Sequence, residues 1–440
     1  MANGNRRDLI IGFDFGTSAS KVVVRDHSLS RAHAIPFQGL AHPSNPYLLP
    51  SELMLSKTGE FLLKCDDPAV VFRRLKVHLL DSVAKYITVN GQEVEIKPAY
   101  LAAIYIALAL KQVRERFLEK NREVYRYLAP FWQLNIGLPA KNYDEATVRE
   151  HFLNAAKIGW WLSERKEALG LSTLETLDTA KARAIAAPGI HPDNINVIPE
   201  IAAQVAGYAR SRLRQEGLHV LLDIGAMTVD VAAFRLSKTD GEDVYRFMTA
   251  DVHRCGCQEL HAWRAARVTE CLSQWMREMA CACDLVAAIP DSLEPYCPQP
   301  KHLPNIDNEF LEVATTPLSS VVARTKVSRD PFASEWANGL PLFLCGGGSK
   351  MAFYNERVVS NANYRLRDTG WAGFRETVLP KPDYLVAESL KAGEFHRRSV
   401  AEGLSHPVED IGRIVPESEI GDVRIVRSGK VFEYISKDQV

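Results

Sequence analysis

The sequence predicts an α/β chain of two duplicated lobes, each interrupted by an inserted subdomain, with a cleft where the lobes meet. Three observations predict it. A short hairpin-like segment occurs twice, at Asp14 and at Asp223, 209 positions apart (223 − 14) in a chain of 440 residues. Strand-like and helix-like stretches alternate, which is the pattern of α/β layers. The composition is that of a folded protein, with 46% apolar and 24% charged residues. At roughly 100–200 residues per domain the length suits two to four compact units.

Charge and composition exclude several classes. Fifty-three basic against 54 acidic residues leave a net charge of −1, which excludes a general nucleic-acid coat or a polybasic membrane binder. The apolar content excludes disorder as the main state. No run reaches the ~18–20 apolar residues of a membrane helix; the best candidate, Tyr100 to Leu110, stops at Lys111. Residues 1–7 are polar, carry no secretory pattern and are expected to be a flexible N-terminus. Eight cysteines are too few for a disulfide framework. The expectation is a cytoplasmic protein with reduced thiols and no direct contact with nucleic acid or membrane. Oligomeric state is left open.

The first repeat runs from Leu9 through Asp14, Gly16, Thr17, Ser18 and Lys21 to Arg25, and the second from His219 through Asp223, Gly225, Thr228 and Asp230 to Arg235. Each is a β-branched apolar run, an Asp-x-Gly turn with a hydroxyl, and a second strand-like run. Lobe I is expected over 8–205 with an insertion at about 38–128, read as a Pro-rich loop with helices. Strands are expected at Trp132–Leu138 and Asn194–Ile198. Helices are expected at Glu145–Ser163 and from Ile201 to about Arg214. Lobe II is expected over 206–415 with an insertion at about 255–330. It should hold a third strand near Tyr245–Ala250, a helix from Leu260 to about Met279, and a loop at Pro290–Pro304 marked by five prolines. A strand at Leu340–Leu344 should lead through Gly346-Gly347-Gly348 to a helix from Lys350. Residues 416–440 read as a terminal hairpin or tail.

An Asp-x-Gly-x-x-Thr hairpin has a specific chemical capacity. The glycine lets backbone approach an anion, and successive turn N–H groups point into one concavity. A carboxylate at the strand end suits a hydrated Mg²⁺, which keeps several waters and takes few protein carboxylates. Two such hairpins face to face would clamp a polyphosphate. The glycine turn Gly346-Gly347-Gly348 could then lie against a purine or ribose, at a helix start that favours negative charge.

These segments resemble the actin-like ATPase superfamily, which includes actin, Hsp70 chaperones, filament proteins and sugar kinases. The closest likeness is to the Hsp70-type nucleotide-binding domain. Asp14 to Ser18 resembles the first phosphate motif, Asp223 to Asp230 the second, and Gly346 to Lys350 the adenosine motif. Pro199-Glu200-Ile201 and Ser399 to Ser405 resemble the two connecting segments between lobes. The match covers about residues 8–408, with the motifs in family order. The resemblance implies two ribonuclease-H-like lobes with ATP and Mg²⁺ between them. It implies Asp14 and Asp223 at the metal, and Gly16, Thr17, Ser18, Lys21, Gly225, Ala226, Met227 and Thr228 at the phosphates. Gly346, Gly347, Gly348 and Lys350 would line the adenosine. Glu200, Asp230 and the lobe I base Lys76 would serve catalysis. The implied activity is slow hydrolysis of ATP to ADP and phosphate, which regulates or remodels a protein partner or client.

Two departures stand out. Ala226 and Met227 replace glycines that the second motif usually carries, so both must sit in a backbone conformation that tolerates Cβ. About 30 residues follow the last motif, too few for an Hsp70 peptide-binding domain. Two other readings share the site: an actin-like filament ATPase, revealed by ATP-dependent light scattering, and a sugar or small-molecule kinase, revealed by turnover that sugars stimulate. Cys255-x-Cys257 and Cys281-x-Cys283, with His253 and Cys297, raise a zinc reading, but zinc ligands are usually spaced Cys-x₂₋₄-Cys. Core cysteines are the plainer reading.

Overall fold

The computed structural model describes residues 6–41, 45–82, 84–89, 92–143, 145–186, 194–268, 289–297, 305–367, 370–388, 390 and 393–423. Within them the architecture is mixed α/β, built on two central sheets.

The first sheet starts with β1 (Arg6–Asp14), β2 (Ala19–Asp26) and β3 (Arg31–Ala34), consecutive antiparallel neighbours. β1 begins at Arg6, so Arg6 and Arg7 belong to a strand and not to the flexible terminus expected; they sit opposite Ala129 and Pro130. The next segment holds more β-structure than its sequence suggests. Strands Leu53–Ser56, Phe61–Leu62 and Pro68–Phe72 form a small sheet, and Lys85–Val89 pairs with Gln92–Ile96. These strands are too short to show a clear period of two. Between them lies helix α1 (Leu75–Asp81).

Helix α2 (Pro98–Lys120) is buried over most of its length. The sequence reading put it inside the insertion, yet it packs into the lobe I core. Its Tyr105 ring stacks on Phe15 at 5.6 Å and donates to Ser20 Oγ at 2.9 Å. β4 (Ala129–Leu138), α3 (Ala146–Ser163) and β5 (Ile195–Pro199) complete the lobe, with β4 parallel to both β1 and β5. Helix α4 (Glu200–Ala209) follows. It ends five residues before the expected Arg214, where the Ser211 hydroxyl donates to the Tyr208 carbonyl.

The second sheet repeats this order and sense. β6 (Gly217–Ile224), β7 (Val229–Thr239) and β8 (Glu242–His253) are consecutive antiparallel neighbours. α5 (Cys257–Arg267) and α6 (Ile306–Arg324) follow. β9 (Leu340–Cys345) lies parallel to β6, and β10 (Phe374–Thr377) parallel to β9. Thus β5-β4-β1-β2-β3 corresponds to β10-β9-β6-β7-β8. After the glycine turn the chain becomes helical at Phe353 and not at Lys350, because Ser349 Oγ donates back to the Gly346 carbonyl and tightens the turn.

The chain then returns across both lobes. β11 (Leu385–Val386) joins the edge of the first sheet beside β3, and β12 (Arg413–Val415) joins the second beside β8. Between them runs α7 (Ser399–Leu404). The lobes exchange helices. α4, which leaves the first sheet, shares a core with Leu221, Phe234 and Phe343 of the second. α7, which follows the second sheet, puts Ala401 against Val23, Ala32 and Ala34 of the first. The two helices cross where a Cβ on Gly403 would lie 1.7 Å from the Ala203 carbonyl oxygen. Burial of these apolar faces, at about 25 cal/mol per Å², drives the docking of the lobes.

No helix among the described residues is long and apolar enough to cross a membrane. The far part of the expected helix to Met279, residues 298–304 of the proline loop and the hairpin from 424 onward lie outside the described residues.

Candidate functional site

The two repeats meet at one pocket between the lobes. Asp14 ends β1 and Asp223 lies at the end of β6, equivalent strands of the two sheets, and both line it. In lobe I, the Ser51 hydroxyl donates to the Gly16 carbonyl at 2.7 Å and pins the turn that carries Thr17 and Ser18. Lys21, opposite Asp14 across the hairpin, pairs with it at 3.0 Å. The second turn is held from behind. The carbonyls of Gly225, Ala226 and Met227 accept from the N–H groups of Cys257, Gln258 and Gly256 at the start of α5. In a trans peptide the N–H points opposite its carbonyl, so the N–H groups of Ala226, Met227 and Thr228 face away from α5. Neither Ala226 nor Met227 has a positive φ. The two residues that replace glycines are therefore unstrained. Met227 is buried off the pocket, while Ala226 lines it.

A third turn closes the pocket. Gly346 has φ +81°, and a Cβ there would lie 2.2 Å from Asp223 Oδ1. Only glycine fits so close to that carboxylate.

Four carboxylates and two lysines share the pocket: Asp14, Glu200, Asp223 and Asp230 with Lys21 and Lys76. Lys76 on α1 is buried and donates to Glu200 Oε1 at 2.6 Å. Burial opposes its charge, but Glu200, Asp14 and Asp230 outweigh it and raise its pKa. Burial pushes Asp223 up to about 6, helped by Glu200 and Asp14. Burial pushes Asp230 up to about 8, helped by Asp223 and Glu200. Glu200 is raised by burial as well, with Lys76 pulling it back. Four ionised carboxylates would outnumber the two lysines, and this crowding adds to burial in raising Glu200, Asp223 and Asp230.

Among the described residues, two buried acceptors here, Asp230 Oδ1 and Gln204 Oε1, find no donor. Gln204 on α4 also donates through Nε2 to Asp223 Oδ2. Unsatisfied acceptors among crowded carboxylates suit a hydrated cation. Among the described residues no group of three or more His, Cys, Asp or Glu side chains is arranged to hold a metal directly. Mg²⁺ bound through water asks for fewer.

Most of the expected residues come together. Gly16, Thr17, Ser18, Lys21, Gly225, Ala226, Thr228, Gly346, Gly347 and Gly348 line the pocket with Asp14, Asp223, Lys76, Glu200 and Asp230. Two do not. Met227 packs away from it, and Lys350 is exposed outside it. At that end the lining includes Arg397, His396, Met351 and Ile289. Sequence reasoning passed over these and Gln204. Gln204 lies four residues after Glu200, on the same helix face, and that spacing was a usable signal. Arg397 carried none, because it enters from a distant segment.

The weak zinc reading gains nothing. Cys255 and Cys257 are buried free thiols, and Cys281 and Cys283 lie outside the described residues. Cys297 is disulfide-bonded, so the expectation of reduced thiols throughout does not hold. Compared with protein-family models and with curated proteins, the chain matches none.

The carboxylate cluster predicts a pH effect. An unfolded Asp titrates near ~3.9, whereas Asp230 in the pocket titrates at about 8. Between these values the folded state binds the extra proton, so its stability falls as pH rises. Asp230→Asn removes that titration. The variant should melt close to the parent at pH 5 and several degrees above it at pH 8, without added ligand. Equal melting differences at both pH values would show that Asp230 ionises normally.

Proposed function

We propose that this chain is an ATPase of the actin/Hsp70 type, with two ribonuclease-H-like lobes that bind Mg·ATP between them and hydrolyse it slowly. The observation that carries this reading is that Asp14 and Asp223, at equivalent strand ends of two sheets with the same order and sense, line one pocket with three glycine turns. A bound Mg²⁺ would neutralise charge on the phosphates, with Asp14 and Asp223 holding its waters. The turn N–H groups of residues 226–228 would donate to phosphate oxygens. Glu200, fixed by Lys76, would orient the attacking water, and Asp230 would hold the hydration shell. Positioning and charge neutralisation supply most phosphoryl-transfer catalysis, so no covalent nucleophile is required.

The helix exchange supports a switch. A ligand gripped by both lobes favours the closed arrangement about the α4–α7 crossing, and loss of the γ-phosphate contacts relaxes it. A protein partner that reads the difference would make the protein regulatory or chaperone-like, in the cytoplasm where Mg·ATP is abundant.

Titration calorimetry with Mg·ATP tests the reading. Asp14→Asn and Asp223→Asn should each weaken binding by at least about tenfold, or about 1.4 kcal/mol. Parent-like affinity and turnover in both variants would overturn it.

A further inference from the structure

Among the described residues three cations line the pocket, and one of them is unengaged. Lys21 pairs with Asp14 and Lys76 with Glu200. Arg397 is half-buried and makes no ion pair or side-chain hydrogen bond among the described residues. Its guanidinium lies along Gly347, with Nη2, Nε and Cζ 3.1, 3.5 and 3.7 Å from where a Cβ would sit. A side chain on residue 347 would press on it, so the glycine turn forms a floor for the guanidinium.

Arg397 lies over Gly347, the residue after the Gly346 that abuts Asp223. The charge of Lys76 or Lys21 is felt at Glu200, Asp223 and Asp230, that of Arg397 at Cys257 and His396; Lys350 is also felt at His396, but it is exposed and does not line the pocket. The pocket therefore has an acidic end, suited to a metal polyphosphate, and an end with one free planar cation. Ile289, Met351 and Val400 also line the pocket and supply apolar surface. An apolar slot with a guanidinium is the chemistry that takes an aromatic ring, through dispersion and cation–π attraction. His396 adds no competing charge. Burial pushes it down to about 4, and its Nδ1 donates to the Gly393 carbonyl at 2.7 Å.

The neighbour of Arg397 sets its position in advance. Arg398 is buried, donates through Nη2 to Asn45 Oδ1 at 2.7 Å and lies over the Tyr47 ring at 4.7 Å, both in lobe I. α7 begins at the next residue. Consecutive arginines thus divide the work: Arg398 ties the segment to lobe I, and Arg397 faces the pocket beside a lobe II turn.

We propose that Arg397, and not Lys350, recognises the nucleoside part of the ligand by laying its guanidinium on a purine base. This assignment rests on the Mg·ATP reading of the pocket.

Two ligands separate the ends of the site: Mg·ATP and magnesium tripolyphosphate, which lacks a nucleoside. Arg397→Ala should weaken Mg·ATP about tenfold, the weight of a partly desolvated cation–π contact, and leave tripolyphosphate unchanged. Arg397→Lys should recover part of the loss. Lys350→Ala should alter neither. Among the described residues Arg397 has no ion-pair or hydrogen-bond partner to lose, so the melting temperature of Arg397→Ala without ligand should match the parent. Unchanged ATP affinity in Arg397→Ala, equal loss of both ligands, or a loss carried by Lys350→Ala would each overturn the assignment alone. A parent protein that binds neither ligand would overturn the nucleotide reading and the assignment with it.

Discussion

Lys76→Met is expected to abolish most nucleotide turnover and also to destabilise the fold, and a second substitution should separate the two effects. Lys76 and Glu200 are both buried and meet at 2.6 Å. Removing the lysine strands Glu200 beside Asp14 and Asp230. Breaking a buried pair from one side costs about 3–5 kcal/mol when the remaining charge stays ionised. Here the cost should fall at the low end, because Glu200 is already raised by burial and can take up a proton. Protonated, it could no longer orient the water of the proposed hydrolysis as an ionised acceptor. Turnover should drop about 10²–10³-fold, the range for losing a positioned acid–base or electrostatic group. The double variant Lys76→Met/Glu200→Gln carries no stranded charge. It should regain most of the stability in a urea titration and none of the phosphate release. Two results would sink this account. One is parent-like turnover in Lys76→Met, which removes the pair from the machinery. The other is a double variant as unstable as the single one, which means that the cost does not come from stranded charge.

What the sequence shows of this fold and site follows from the range of the forces involved. The hairpins at Asp14 and Asp223 are local: an apolar run, a turn and a second run lie within 20 residues, and period and turn chemistry report them directly. Their meeting is not local. It was expected only because the same unit occurs twice and because the motifs resemble a known series. Lys76 lies within a basic segment that could equally be a solvated face. Its role rests on Glu200, 124 positions away. Arg397 illustrates the limit. Nothing in Phe395-His396-Arg397-Arg398 distinguishes the arginine that enters the pocket from the one that binds Asn45. That choice is made by packing, where Arg398 is 1% exposed and Arg397 is not buried. The short strands between Leu53 and Phe72 escaped for another reason. Runs of two to five residues are held by partner strands, and their own propensity is too weak to mark them.

The helix crossing should be the least tolerant position outside the pocket. Gly403→Val puts a branched side chain where a Cβ would lie 1.7 Å from the Ala203 carbonyl oxygen and 2.4 Å from its carbon. Both atoms are backbone, so no rotamer change relieves the clash; α4 and α7 must part. α7 is the worse candidate to move. Its Glu402 is buried and accepts from Arg25 at 2.7 Å and Tyr384 at 2.8 Å, while His406 sits 3.1 Å from the same carboxylate oxygen. Glu402 lies below the usual carboxylate range even though burial opposes it, held there first by the His406 contact and then by the Arg25 charge. The strain therefore passes to α4, whose first turns carry Glu200 and Gln204 into the pocket. Gly403→Val should cost about 3 kcal/mol, the upper part of the overpacking range, and should weaken Mg·ATP binding in whatever fraction stays folded. Gly421→Ala is the control, since among the described residues a Cβ there meets nothing within 4 Å. Denaturant midpoints and calorimetry on the two variants decide the matter. If Gly403→Val unfolds at the same midpoint as Gly421→Ala, the helices are free to separate, and the crossing does not couple the lobes to the pocket.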